Sequence, residues 1–136
     1  MSDQIDVNQL SNALQQKVDL PSGKSQADID YVVEWKVPTS SDPRWYRKYK
    51  SGWVEQGGSN VALNEISTAT VTYLVPMANT NYTLLAVQTN QSTASDAEVG
   101  IQFTATSTTQ GTLSCHYINP NTTYVSWEVK GMSAQS

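Results

Sequence analysis

One cysteine, one histidine and one phenylalanine occur in 136 residues, and charged side chains make up only 15% of the chain. Each scarcity excludes something. Cys115 alone cannot form an intrachain disulfide, so no disulfide scaffold is expected, and assembly in a reducing cytoplasm fits. His116 stands beside Cys115 with no Gly-x-Ser-x-Gly context, and neighbours on a strand point to opposite faces, so the two make a poor catalytic dyad. The reading is Cys115 in the core and His116 outside. Zinc would need more Cys and His ligands than the chain has, and no Asp-x-Asp-x-Asp calcium loop occurs, so no metal and no cofactor are expected. No apolar run approaches the ~20 residues of a membrane helix. The start, Met1-Ser2-Asp3-Gln4, has neither the basic residues nor the apolar core of a secretory signal. The three Asn-x-Ser/Thr matches at Asn81, Asn90 and Asn121 are accordingly read as chance.

A net charge of −4 and a pI near 4.7 argue against a nucleic-acid footprint, which is normally basic. What replaces charge is Ser, Thr, Asn and Gln, above all after Ser59. Such a neutral, hydrogen-bonding surface suits a shaft or an adhesin working outside a cell, and equally any sheet that shows Thr to solvent.

The chain changes character near Pro21, which divides a stem, residues 1–30, from a larger domain, residues 31–136. Val7, Leu10, Leu14 and Val18 follow helical spacing over residues 3–19, with Asp3 or Asp6 to cap the start and Pro21 and Gly23 to end it. So short a helix needs a partner. It either folds back on its own domain or pairs with copies of itself as a parallel coiled coil. After a polar connector comes a strand over residues 31–37, then a loop to Pro43, and from Arg44 onward strand and turn throughout. Val71, Tyr73 and Val75 share a face. Tyr82, Leu84 and Ala86 oppose Leu85 and Val87. Val99, Ile101, Phe103 and Ala105 point inward, as do Leu113, Cys115 and Tyr117, then Val125, Trp127 and Val129. Turn clusters at residues 78–81, 90–96, 107–111 and 119–121 separate these runs. The fold expected is all-β, an antiparallel β-sandwich preceded by a short N-terminal helix.

The most informative stretch is residues 45–58, WYRKYKSGWVEQGG. A three-residue loop, Lys50-Ser51-Gly52, lets Gly52 alone take positive φ. That register sets Tyr49 across from Trp53 as an aromatic pair and Arg47 across from Glu55 as an ion pair. Gly57 and Gly58 predict a bulge or a close backbone approach. The stretch resembles the WYRKYSDGWIEQGG-like segment that opens the C-terminal domain of many bacteriophage and prophage tail fibres. The match runs through Trp45, Tyr46, Arg47, Lys48 and Tyr49, then Gly52, Trp53, Val54, Glu55, Gln56, Gly57 and Gly58, with Ser51 where the family usually has aspartate. Val71 to Pro76, Asn81-Tyr82-Thr83 and Tyr124 to Gly131 resemble later strands of that family more loosely.

The resemblance implies a fibre-tip adhesin on the virion tail that attaches the particle to a bacterial surface glycan or outer-surface protein. It further implies a homotrimer joined to other tail proteins through the N-terminal segment, with no nucleic acid and no membrane insertion. The rival is a virion decoration or trimerisation domain without a ligand. In either case the hairpin residues read as architecture rather than receptor site. For a saccharide site the polar loops at one end are preferred. In a linear antiparallel path the turns at 90–96 and 119–121 share an end, which nominates Asp96, Asn119 and Asn121 with Tyr117 and Tyr124 as aromatic platform, unless both rings simply bury against Trp127. Tyr82, beside Asn79 and Asn81, is the candidate at the other end. No catalysis is expected: Glu55, Asp96 and Glu98 show no spacing that recommends a glycosidase pair. Arg44, Arg47, Lys48 and Lys50, interleaved with Trp45, Tyr46 and Tyr49, suit an anionic glycan better than a nucleic acid, and a solvated strand face also explains them.

Overall fold

The computed structural model describes residues 25, 29–63, 68–91, 100–116 and 122–134, the side chains of Asn90, Gln91 and His116 excepted. Backbone contacts divide the chain into Met1–Asp30 and Tyr31–Ser136, and every described strand belongs to the second unit. The expected helix over residues 3–19 lies outside the described residues.

Eight strands run in order: β1 (Val32–Lys36), β2 (Trp45–Tyr49), β3 (Trp53–Leu63), β4 (Thr68–Thr72), β5 (Thr83–Gln91), β6 (Gly100–Ala105), β7 (Gln110–His116) and β8 (Thr123–Met132). They form a five-stranded sheet, β1-β2-β3-β8-β5, and a three-stranded sheet, β4-β7-β6, all pairs antiparallel. The architecture is the antiparallel sandwich expected. Its path is not linear, because β8 inserts between β3 and β5. Alternation decides which face each strand buries. Along β8, Thr123, Val125, Trp127, Val129 and Gly131 are buried while the residues between them are half-exposed. Val54, Leu63, Leu113, Val125 and Val129 lie at the centre of the core, each worth roughly 1.5–3 kcal/mol of transfer free energy. Trp127 is the aromatic hub, with ring centroids 5.7 Å from Tyr73 and 5.9 Å from Phe103.

The β2–β3 hairpin has the expected register, with Arg47 opposite Glu55 and Gly52 at φ 95°. Gly52 N–H donates to the Tyr49 carbonyl at 2.9 Å, closing the tight turn. The side-chain pairs expected from that register do not form. Glu55 accepts instead from Trp53 Nε1 at 3.4 Å. Among the described residues Arg47 has no ion-pair partner, and Tyr49 makes no ring contact with Trp53. Solvent competes well for exposed pairs, so opposition in a ladder does not oblige them to meet.

Both expectations for the two glycines hold. A Cβ on Gly57 would strike the Trp127 backbone carbonyl and lie 3.1 Å from the Trp45 indole, while one on Gly58 would lie 2.8 Å from Trp127 Nε1. Just beyond, Asn60 takes φ 59° and the β3–β8 register slips between Gly58 and Val61, which is a β-bulge.

Val71, Tyr73 and Val75 do share a buried face, but β4 ends at Thr72. Beyond it the chain is held by a side chain. Gln56, 1% exposed, donates through Nε2 to the Val75 carbonyl at 2.7 Å and accepts from Val75 N–H at 3.0 Å. The carboxamide thus does for Val75 what a neighbouring strand would do.

Candidate functional site

Four of the five loop residues nominated from the sequence, Asp96, Tyr117, Asn119 and Asn121, lie outside the described residues. The strand ends that bracket those loops are described: Gln91 and Leu63 both pair with Thr123, and Gly100 pairs with His116. Tyr124, the fifth, is half-buried on β8, one residue out of phase with the buried Val125 and Trp127, so it belongs to the outer face of the five-stranded sheet and not against Trp127. Tyr82 is not a surface platform. It is buried, its hydroxyl donates to the Ser107 carbonyl at 2.7 Å and meets the Tyr73 hydroxyl at 2.9 Å, and its ring stands edge-on to that of Tyr73. Burial, with the hydrogen bond to Tyr82 second, holds the Tyr73 phenol well above the ordinary tyrosine range.

The concave surface that is described lies on the outer face of the five-stranded sheet. Ladder opposition places its members. Trp35 lies across from Arg47, Arg47 from Glu55, Glu55 from Lys130, Trp45 from Gly57, Gly57 from Glu128, and Glu128 from Leu85. Trp45 can lie flat against the strand because Gly57 presents no Cβ there. Trp35 is 64% exposed, Val37 63%, Leu85 52% and Val87 60%. Large apolar groups gathered on one exposed face form the kind of patch through which proteins commonly meet partners.

Two shallow depressions run together here, sharing Pro38, Trp45 and Glu128. One, of about 720 Å³, is walled by Trp35, Val37, Arg47 and Glu55. The other, of about 520 Å³, is walled by Pro43, Leu85 and Val87. The loop bearing Pro38 and Pro43 is fixed by Asp42. Arg44 grips both its carboxylate oxygens, at 2.9 Å and 3.0 Å, and Lys36 Nζ stands 3.7 Å away. The Arg44 hydrogen bonds, chiefly, hold the Asp42 carboxyl well below the usual carboxylate range. Arg44 Nη1 also reaches the Thr72 carbonyl at 3.2 Å, which ties the loop to β4.

Aromatic rings and a guanidinium over a sheet can stack on and hydrogen-bond to a ligand. Among the described residues no three His, Cys, Asp or Glu side chains converge as metal ligands. Sequence reasoning missed Trp35, Val37, Pro38, Pro43, Leu85 and Val87 as site residues. The available signal was the apolar character of both faces of β5, together with the apolar alternation Tyr31, Val33, Trp35, Val37.

No protein-family model and no curated protein matches the chain. Solved structures do. An N-truncated R2-type pyocin tail fibre matches with a TM-score of 0.55 and 19% identity, over 74% of this chain and 39% of that one. The fold is similar to that of a pyocin tail fibre. A structure of a C-terminal stretch of the R2 pyocin fibre from P. aeruginosa matches at 20% identity over 74% of this chain and 26% of that one, with a TM-score of 0.45. The chain therefore spans about two fifths of the length of the first and about a quarter of the second.

Proposed function

We propose that the domain is a tail-fibre module of a phage-type particle that attaches it to a bacterial surface. The outer face of its five-stranded sheet is the contact surface in this reading. The observation that carries the proposal is the fold shared with an R2-type pyocin tail fibre over 74% of the chain. The hairpin whose sequence resembles that of phage fibre tips supports it, since its Trp45 lies at the centre of the exposed apolar face. The work assigned to the domain is binding, without catalysis, and the receptor class is a surface polysaccharide. Assembly as a homotrimer, in a virion tail and through the N-terminal segment, belongs to the same reading.

The same exposed face also favours a second reading, in which Trp35, Leu85 and Val87 pack against other copies and no receptor is bound. Fluorescently labelled full-length protein, titrated onto a panel of bacterial strains, separates the two. Saturable binding confined to some strains supports attachment. Indifference to every strain supports a structural part.

A further inference from the structure

We infer that the shelf formed by Trp35, Trp45 and Arg47 takes an acidic sugar unit of a surface polysaccharide, one bearing a carboxylate or a phosphate. This rests on the attachment reading above and assigns the ligand chemistry of that face.

Strand geometry sets the spacing. Trp45 and Arg47 are two residues apart on one face of β2, roughly 7 Å, and Trp35 faces Arg47 from the adjacent strand, about 4.8 Å away. Two indoles thus stand about one sugar ring apart with a guanidinium beside them. The C–H face of a pyranose stacks on an indole, and its hydroxyls need nearby polar groups, which Glu55 and Glu128 offer at the floor of the same depression.

Charge decides the class of sugar. Glu128 is paired with Lys130 at 3.4 Å, and Glu55 accepts from Trp53 Nε1. Lys36 is held by the Arg44 carbonyl at 2.7 Å and by Asp42. Arg47, directly opposite a carboxylate residue, forms no ion pair or hydrogen bond through its side chain among the described residues. The face therefore presents a guanidinium whose five donors are unused, in the planar fork that matches carboxylate and phosphate oxygens. A neutral sugar could offer that fork only hydroxyl acceptors, without the bidentate, charge-assisted bonds that a carboxylate or phosphate supplies. The trough continues past Trp45 to Leu85 and Val87, so it suits a run of sugar units rather than a single one.

The test uses the full chain and surface polysaccharide purified from a strain that it binds. One portion has its carboxylates reduced to alcohols with carbodiimide and borohydride, and another has its phosphates removed with aqueous hydrogen fluoride. Affinity for the untreated polymer is expected to fall tenfold or more in Trp35→Ala and in Arg47→Gln, with circular dichroism and melting unchanged, and to weaken as salt is raised. Loss on carboxyl reduction names a uronic-type acid, and loss on dephosphorylation names a sugar phosphate. Two results overturn the inference while leaving attachment standing: both variants bind cells as the parent does, or binding survives both treatments. A Trp35→Ala variant that binds normally but sediments at lower mass also overturns it, by giving the shelf to a contact between copies. Failure of the parent to bind any strain removes the attachment reading itself, and this inference with it.

Discussion

Gln56 is a polar side chain at the centre of an apolar core, and its carboxamide clamps the segment after β4 to β3 at Val75. Both Val75 backbone groups depend on it. Gln56→Ala leaves a buried donor and a buried acceptor without partners and opens a cavity, so urea titration should record a loss of about 3–5 kcal/mol. Gln56→Glu gives a sharper result. A protonated glutamic acid can donate to the Val75 carbonyl and accept from its N–H, whereas the carboxylate can only accept and is buried besides. Its folded pKa must lie above the unfolded value of about 4.3. The contribution to stability is therefore fully present below pH ~4 and is lost as pH rises through the folded pKa. A variant that melts at the same temperature at pH 4 and pH 8 would contradict the clamp. Gly57 is constrained by space in the same way. Gly57→Ala meets a backbone carbonyl that cannot swing aside and should cost about 2–3 kcal/mol by overpacking. Gly100→Ala, which meets nothing within 4 Å, is the matched control and should be neutral or slightly stabilising.

Elements show where the sequence speaks and where it falls silent. The β2–β3 hairpin was legible to the residue, because one glycine at positive φ fixes loop length, and loop length fixes register. Replacing Gly52 with valine should cost about 1–2 kcal/mol and can be read from the melting temperature. The buried sides of β6 and β8 were equally legible from their alternation. Alternation assigns faces, not neighbours, so nothing in Tyr124 to Gly131 announced that β8 would slide between β3 and β5. It also cannot say which apolar face meets the core when both faces of a strand are apolar, as in Leu84 to Val87. That ambiguity hid the Leu85 and Val87 end of the trough. Tyr82 misled for a related reason: a tyrosine beside Asn79 and Asn81 reads as a loop platform, but its hydroxyl has a buried acceptor in Ser107. The Tyr73–Tyr82 pair makes an alkaline prediction. Because the Tyr73 phenol is raised in the folded state, its contribution to stability is intact below the unfolded pKa of about 10 and is lost as pH climbs above it. Between pH 10 and 12 the parent should lose stability more steeply than Tyr73→Phe, and equal slopes would break the assignment.

At the scale of the whole domain the two sheets are unequal, five strands against three, and burial reflects that inequality. β3 and β8 of the larger sheet and β4 and β7 of the smaller contribute buried side chains to the core, and β5 and β6 pack half-buried ones against it, whereas β1 contributes none and β2 only the half-buried Tyr46. Those two strands are held by ladder hydrogen bonds, by the Tyr46 hydroxyl on Glu34, and by the Asp42–Arg44 loop. Exposed ladders with few buried contacts open at low free energy, while central strands exchange only through global unfolding. Amide hydrogen exchange on the free protein should therefore be slowest at Val54, Val125 and Val129. It should be faster by orders of magnitude along Val33 to Lys36, which forms the edge of the sheet among the described residues. The shelf is walled on one side by this least protected element, and that has a consequence for binding. A ligand bridging Trp35 on β1 to Trp45 on β2 would add contacts that exist only when β1 is docked, so β1 amides should slow on binding in proportion to occupancy. Copies packing on the same face would slow them in proportion to protein concentration instead. Exchange at Val33 to Lys36 that matches the rate at Val125, in dilute protein without ligand, would mean that β1 belongs to the central cooperative unit and would refute this account of the shelf.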